Sequence, residues 1–248
     1  MTTDAIRLER VHVHYEVRHE RGQTLKGAVI GRLRRRDRAE VFPALKAVDL
    51  RIGARESVAI VGPNGSGKST LLKVIAGIFD PSGGRVTVRG RLAALLELGA
   101  GFHLDLTGLE NIRLGGALLG LSRREVDERL AEIVAFSELD RFIDAPIRHY
   151  SAGMYMRLGF AVAVNADPEI LLFDEVIAVG DAGFQAKCHR KIAELRARGK
   201  TLLVVSHVPD TLRLLCDRGL LLNHGVIEFD GPLDDCLAAY RRIYESRT

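Results

Sequence analysis

At 248 residues, 47% of them apolar, the chain has material for one large core or for a core carrying a smaller subdomain. Its 36 basic and 32 acidic residues leave a net charge of only +4, spread along the chain, which argues against a nucleic-acid partner. The amino terminus, MTTDAIRLERVHVHY, carries charges where a secretory signal would be apolar, and no run is long and apolar enough to span a bilayer. Cys188, Cys216 and Cys236 lack the close spacing of a zinc site or a disulfide framework, so they read as reduced thiols in a cytoplasmic protein.

Residues 6–17 and 44–52 predict the first two strands. Between them lies a basic insertion, 18–41, with Leu25, Val29 and Leu33 at helical spacing and a run RLRRRDR at 32–38. It reads as a short amphipathic helix, either a surface appendage or a contact with anionic lipid. SVAIV at 57–61 is a buried-type strand, followed by GPNGSGKST and the apolar helical run LLKVIAGI. Residues 84–90 and 91–98 continue the sheet side. Thr107 with Glu110, and Ser122 with Glu125, form two capping-box patterns, and residues 107–165 read as a mostly helical subdomain inserted between strands. Strands return at 169–175 and 201–207 around a helix at 182–198; a hairpin-like segment covers 219–231, and a short helical tail follows. This alternation predicts an α/β fold whose sheet is covered on its faces.

The strand, glycine loop and helix at 57–76 supply the context of a phosphate-binding loop. Gly62, Gly65 and Gly67 permit a tight turn whose backbone N–H groups face inward, with Asn64 at its tip. Lys68 offers a point charge to the outer phosphates, Thr70 continues the cradle, and Ser69 can place a hydroxyl on Mg2+. The loop lacks the third glycine of a dinucleotide fingerprint, so a nucleoside triphosphate is the expected ligand rather than NAD. Asp174 ends an apolar strand and is placed to hold the Mg2+ through water, while Glu175 follows it, placed to orient or deprotonate the attacking water. His207 ends another strand and reads either as structural or as a sensor of the γ-phosphate. Tyr15 is either an adenine-stacking ring or a core aromatic. Ser151 and Gly153 open an apolar helical run; they read either as an ordinary cap or as a second set of donors for a triphosphate.

The ordered set formed by the loop Gly62 to Thr70, the signature YSAGM at 150–154, the acidic strand Leu171 to Glu175, the turn Gly180-Asp181 and His207 resembles the ATPase subunits of ABC transporters. The resemblance covers nearly the whole chain and implies a RecA-like core with an antiparallel β subdomain and an inserted helical subdomain. It also implies two copies facing head to tail around two ATP, each nucleotide lying between the loop of one copy and Ser151 and Gly153 of the other. LLELGAGFHLDLTGLENI (95–112), YSAGMYMRLGFAVAV (150–164) and LLFDEVIAVGDAGFQAKC (171–188) are similar to the branch that exports O-antigen, capsule and teichoic acid. That branch implies a multispanning permease dimer as partner, an undecaprenyl-linked polysaccharide as cargo and a peripheral position on the inner face of the cytoplasmic membrane. With Thr248 as the last residue, the similarity is to the shorter members without a carbohydrate-binding domain. Two positions depart from the general pattern: Met154 stands where the signature has glutamine, and Glu97 stands near the usual lid glutamine that contacts the metal.

Overall fold

A computed structural model describes residues 4–17, 40–96, 98–174, 180–206 and 208–244. Strands β1 (Asp4–Val17) and β2 (Glu40–Gly53) pair antiparallel along their whole length, from Asp4 opposite Gly53 to Val17 opposite Glu40. The predicted helix around Leu25, Val29 and Leu33, and the basic 32–38 run, lie outside the described residues. β1 also pairs with β4 (Gly83–Val88), which completes a three-stranded antiparallel sheet.

The second sheet has six strands in the order β5-β6-β7-β3-β8-β9. β3 (Ser57–Val61), β5 (Leu92–Ala94), β6 (Ile170–Asp174), β7 (Thr201–Val205) and β8 (Arg218–Asn223) run parallel, and β9 (Val226–Pro232) closes the edge as an antiparallel hairpin partner of β8. The strand expected over 91–98 shrinks to three residues, because only Leu92–Ala94 pair with β6 before the chain turns away. β4 and β5 also part company into different sheets, although they are near neighbours in sequence.

Every residue of β3 and β7 is buried, as the uniformly apolar strands of a sheet covered on both faces require. One layer of core lies between the two sheets, with Ile6, Leu8, Leu50, Ile60, Leu71 and Leu203 among its buried members. Helix α1 (Lys68–Ile75) sits in this layer and buries Leu71, Leu72, Val74 and Ile75.

The helical insertion contains α2 (Gly108–Leu118), α3 (Arg123–Ser137) and α4 (Ala152–Asn165), with a 3-10 turn at Ile147–His149 before α4. Both predicted capping boxes form with reciprocal bonds, Thr107 with Glu110 and Ser122 with Glu125. Ile112, Val126, Ile133, Ile147, Leu158 and Val162 give this unit its own apolar centre. It joins the main core through Phe136, Phe160 and Phe184, whose ring centroids lie 5.8–6.3 Å apart. The remaining helices, α5 (Ala182–Ala197), α6 (Pro209–Leu215) and α7 (Leu233–Tyr244), cover the other face of the large sheet. Cys188, Cys216 and Cys236 are free and buried in that layer, where burial pushes each thiol up to about 12.

Candidate functional site

The phosphate loop leaves β3 at its carboxyl end, where parallel α/β sheets open their crevices. Gly62, Gly65 and Gly67 all take positive φ, of 152°, 77° and 106°. A Cβ would meet the Leu222 carbonyl at 2.1 Å from Gly62 and the Ala44 carbonyl at 2.6 Å from Gly67, so no larger residue fits those two positions without moving backbone. Gly67 also caps α1, and the first N–H groups of that helix therefore face the loop's interior. Lys68 is only 8% exposed. Its ammonium donates to the carbonyls of Gly62 (2.8 Å) and Pro63 (2.9 Å), which holds the charge inside the turn.

Across the crevice, the Ser69 hydroxyl donates to Oδ2 of Asp174 at 2.8 Å. Residues from two elements thus place a neutral and an anionic oxygen side by side, a donor set suited to a hard cation that takes its other ligands from phosphate and water. The residues present therefore fit Mg2+ and a triphosphate. A cavity of about 770 Å3 runs from this pair along the loop to β1 and β2, within the range of small-molecule sites. Its lining includes Asn64, Gly65, Gly67, Lys68, Ser69 and Thr70.

The far end of the cavity is aromatic. Tyr15 is not a core ring: it is 38% exposed, its hydroxyl lies 3.1 Å from Thr70 Oγ1, and it meets the edge of Phe79 at 6.0 Å. Phe42, which the sequence analysis passed over, is the cross-strand partner of Tyr15 and is 47% exposed. Directly opposed residues of an antiparallel pair share one face, so the two rings flank the same space. Both line the cavity. The only sequence signal for Phe42 was an aromatic next to Pro43 at the start of a strand, which became informative once the register was known.

Ser151 caps α4 in extended conformation and accepts a hydrogen bond from Met154 N at 3.2 Å. The cap reading is therefore observed. It leaves the serine O–H able to donate outward, because the oxygen is the acceptor in the cap. Ser151 and Ala152 are exposed, while α4 is buried from Leu158 onward, so the helix directs its first N–H groups away from the core. Beside Gly153 a Cβ would meet nothing nearer than the Ser151 hydroxyl at 3.8 Å, which leaves that face open for close approach. None of these residues lines the phosphate-loop cavity of its own chain. Met154 packs on the apolar centre of the helical unit. Glu97, Glu175 and His207 lie outside the described residues.

A parallel sheet that brings a glycine loop, an enclosed lysine and an acidic strand end to one crevice defines a P-loop nucleotide-binding protein. The chain belongs to the ABC transporter family, whose profile matches residues 45–178. It is similar to the O-antigen export system ATP-binding protein RfbB of Myxococcus xanthus, at 45% identity over 96% of this chain and 56% of that protein. An RfbB of Klebsiella pneumoniae is 41% identical over 96% of this chain and 97% of its own length. The teichoic acids export protein TagH of Levilactobacillus brevis is 40% identical over 82% of this chain and 56% of that protein. The chain thus spans little more than half the length of some relatives and nearly all of another. Among solved structures, a dimeric ATP-binding cassette, MJ0796, bound to ADP and Pi in a post-hydrolysis state, superposes with a TM-score of 0.70 at 26% identity, covering 92% of this chain and 98% of that one. Among the described residues no helix is long and apolar enough to cross a membrane.

Proposed function

We propose that the chain is the ATP-hydrolysing subunit of an exporter of a lipid-linked cell-surface polysaccharide, and that two copies work head to tail around two ATP. The observation that carries this reading is the 41% identity, over 96% of this chain and 97% of the other, to an O-antigen export ATP-binding protein. The cavity at the phosphate loop supports it, because every described group there suits a nucleoside triphosphate.

In this reading the base lies against Tyr15 and Phe42, and Lys68 with the loop N–H groups holds the phosphates. Ser69 and Asp174 would hold Mg2+, which would neutralise charge on the phosphate oxygens. Glu175 receives the proton of the attacking water, and His207 bonds the γ-phosphate side. Glu97 adds a contact on the metal side. Ser151 and Gly153 of the partner copy donate to the same phosphates, which agrees with the exposure of Ser151, the open space beside Gly153 and the place of both outside their own chain's cavity.

The output is movement conveyed to a membrane permease. Beside the 98–105 loop a groove of about 250 Å3 is lined by Ile78, Leu98, Gly99, Phe102 and Leu118. Leu118 is 62% exposed and Leu104 56%, the kind of apolar surface a peripheral subunit presents to a membrane partner. The cargo is an undecaprenyl-linked, O-antigen-like polymer that the permease handles on the inner face of the cytoplasmic membrane.

The test compares cell-surface glycan, and lipid-linked polymer inside the cell, between cells with the natural chain and cells with Lys68→Ala. The reading predicts loss at the surface with accumulation inside. Unchanged display with no accumulation contradicts polysaccharide export and leaves another cargo.

A further inference from the structure

The β8–β9 hairpin turns on two residues, His224 and Gly225, between the paired Asn223 and Val226. Both take positive φ, 45° and 80°, as a tight turn matched to the twist of its strands requires. The tip of such a hairpin ordinarily stands in solvent, and His224 does, but Gly225 is buried. Its N–H donates to the Ser66 carbonyl of the phosphate loop at 2.9 Å, and its own carbonyl accepts from Lys46 N of β2 at 2.9 Å. One residue without a side chain thus ties the phosphate loop to β2 through its two backbone polar groups.

β2 is shaped to make the second bond. Val11 pairs with Val48 and Val13 with Leu45, so His12 of β1 faces two residues of β2, Lys46 and Ala47. This is a bulge, with Ala47 at φ 50°. Ala47 N donates to His12 Nδ1 at 3.2 Å, and Lys46 N is turned to Gly225. Just before the bulge, Phe42, Pro43 and Ala44 line the nucleotide cavity, with Phe42 opposite Tyr15. The approach of the turn to this wall is close. A Cβ on Gly225 would lie 2.6 Å from the Ala44 carbonyl oxygen, 3.0 Å from its carbon and 3.1 Å from Leu45 Cα. These nearest neighbours all belong to β2 and none to the phosphate loop, so a side chain at 225 forces the wall away from the turn.

We propose that Gly225 is a positioning residue that sets the separation between the base wall, formed by Tyr15 and Phe42, and the phosphate loop. The inference rests on the reading in which the base lies against those two rings. A nucleotide joins its base to its phosphates through one ribose, so it gains from both subsites only when their spacing matches that link. Tripolyphosphate has no base and uses the loop alone. A change in spacing therefore costs ATP its base contacts and leaves tripolyphosphate binding as it was.

The experiment measures dissociation constants of ATP and of inorganic tripolyphosphate, each with Mg2+, for the full chain and its variants. The natural chain is expected to bind ATP at least about tenfold more tightly than tripolyphosphate, the share that stacking on aromatic rings supplies. Gly225→Ala is expected to weaken ATP about tenfold and tripolyphosphate by less than about twofold. Asparagine tolerates the left-handed backbone, so Gly225→Asn should give the same split, and it carries the test if G225A does not fold. In a Phe42→Ala chain, G225A should cost ATP no further affinity, because both changes remove the same contact; a residue that only stabilised the fold would not behave so. Equal losses for ATP and tripolyphosphate, unchanged ATP affinity in folded G225A or G225N, or additive losses with F42A would each overturn the proposal. A natural chain that binds ATP no more tightly than tripolyphosphate contradicts the base reading itself, and the inference falls with it.

Discussion

At the start of α1, Lys68 is 8% exposed and two carbonyls of its own loop hold its ammonium; at the start of α4, Ser151 and Ala152 stand in solvent beyond the buried part of the helix. Both helix ends direct unsatisfied N–H groups outward. The first is set in a cavity with Ser69 and Asp174, so its charge, hydroxyl and carboxylate act on one ligand within one chain. The second end contributes nothing to that cavity. Helix geometry alone therefore does not distinguish a complete anion site from half of one; what the surrounding elements bring to the same point does.

The comparison breaks most sharply at Lys68. Lys68→Ala is expected to weaken ATP binding by about 100-fold, as loss of charge-assisted bonds to phosphate implies, measured by calorimetry on the separate chain. Ser151→Ala should leave that affinity unchanged and lower the turnover of the assembled complex about 100-fold, because in the proposed head-to-tail dimer the donor serves a phosphate held by the other copy. Equal loss of binding in both variants would place the two ends in one site.

Within the cavity, Phe42→Ala should raise the ATP dissociation constant about tenfold, in line with stacking worth ~1–3 kcal/mol per base. Its affinity for inorganic tripolyphosphate, measured by competition, should not change. A parallel loss for both ligands would mean that Phe42 supports the loop rather than the base.

The smallest effect concerns the base of the helical unit. The Ser122 backbone N–H and hydroxyl, and then Arg91 of the main core, hold the Glu125 carboxyl down from its ordinary 4.5 to about 2. A lowered folded-state value means that the contribution is present above about pH 4.5 and is lost as pH falls toward 2. Melting temperatures between pH 5 and pH 3 should fall more for the natural chain than for Glu125→Gln, and parallel curves would contradict the assignment.

Local signals in the sequence carried the parts that depend on neighbouring residues. SVAIV forms a strand with the expected bounds, and the two capping boxes close because each needs only residues three apart. What required long-range pairing was not legible. The split of β4 and β5 between two sheets, the placement of Phe42 beside Tyr15, and the bonds of Gly225 to Ser66 and Lys46 all depend on residues whose proximity is set by packing. Tyr15 illustrates the limit: strand periodicity allows a core or a surface ring, and only the open edge of the β1–β2 hairpin decides for the surface.

The most direct test of the central claim, that the start of α4 completes a site on another copy, is a cross-link between two differently tagged chains, one with Ser151→Cys and one with Asn64→Cys. A short thiol-bridging reagent suits the purpose, since the native cysteines are buried and their thiols are pushed up to about 12. The account predicts a product that joins both tags, forms with ATP and Mg2+, and disappears when Lys68→Ala is added to both chains. Failure of ATP-loaded chains to join the two tags, or equal joining with and without ATP, would contradict it.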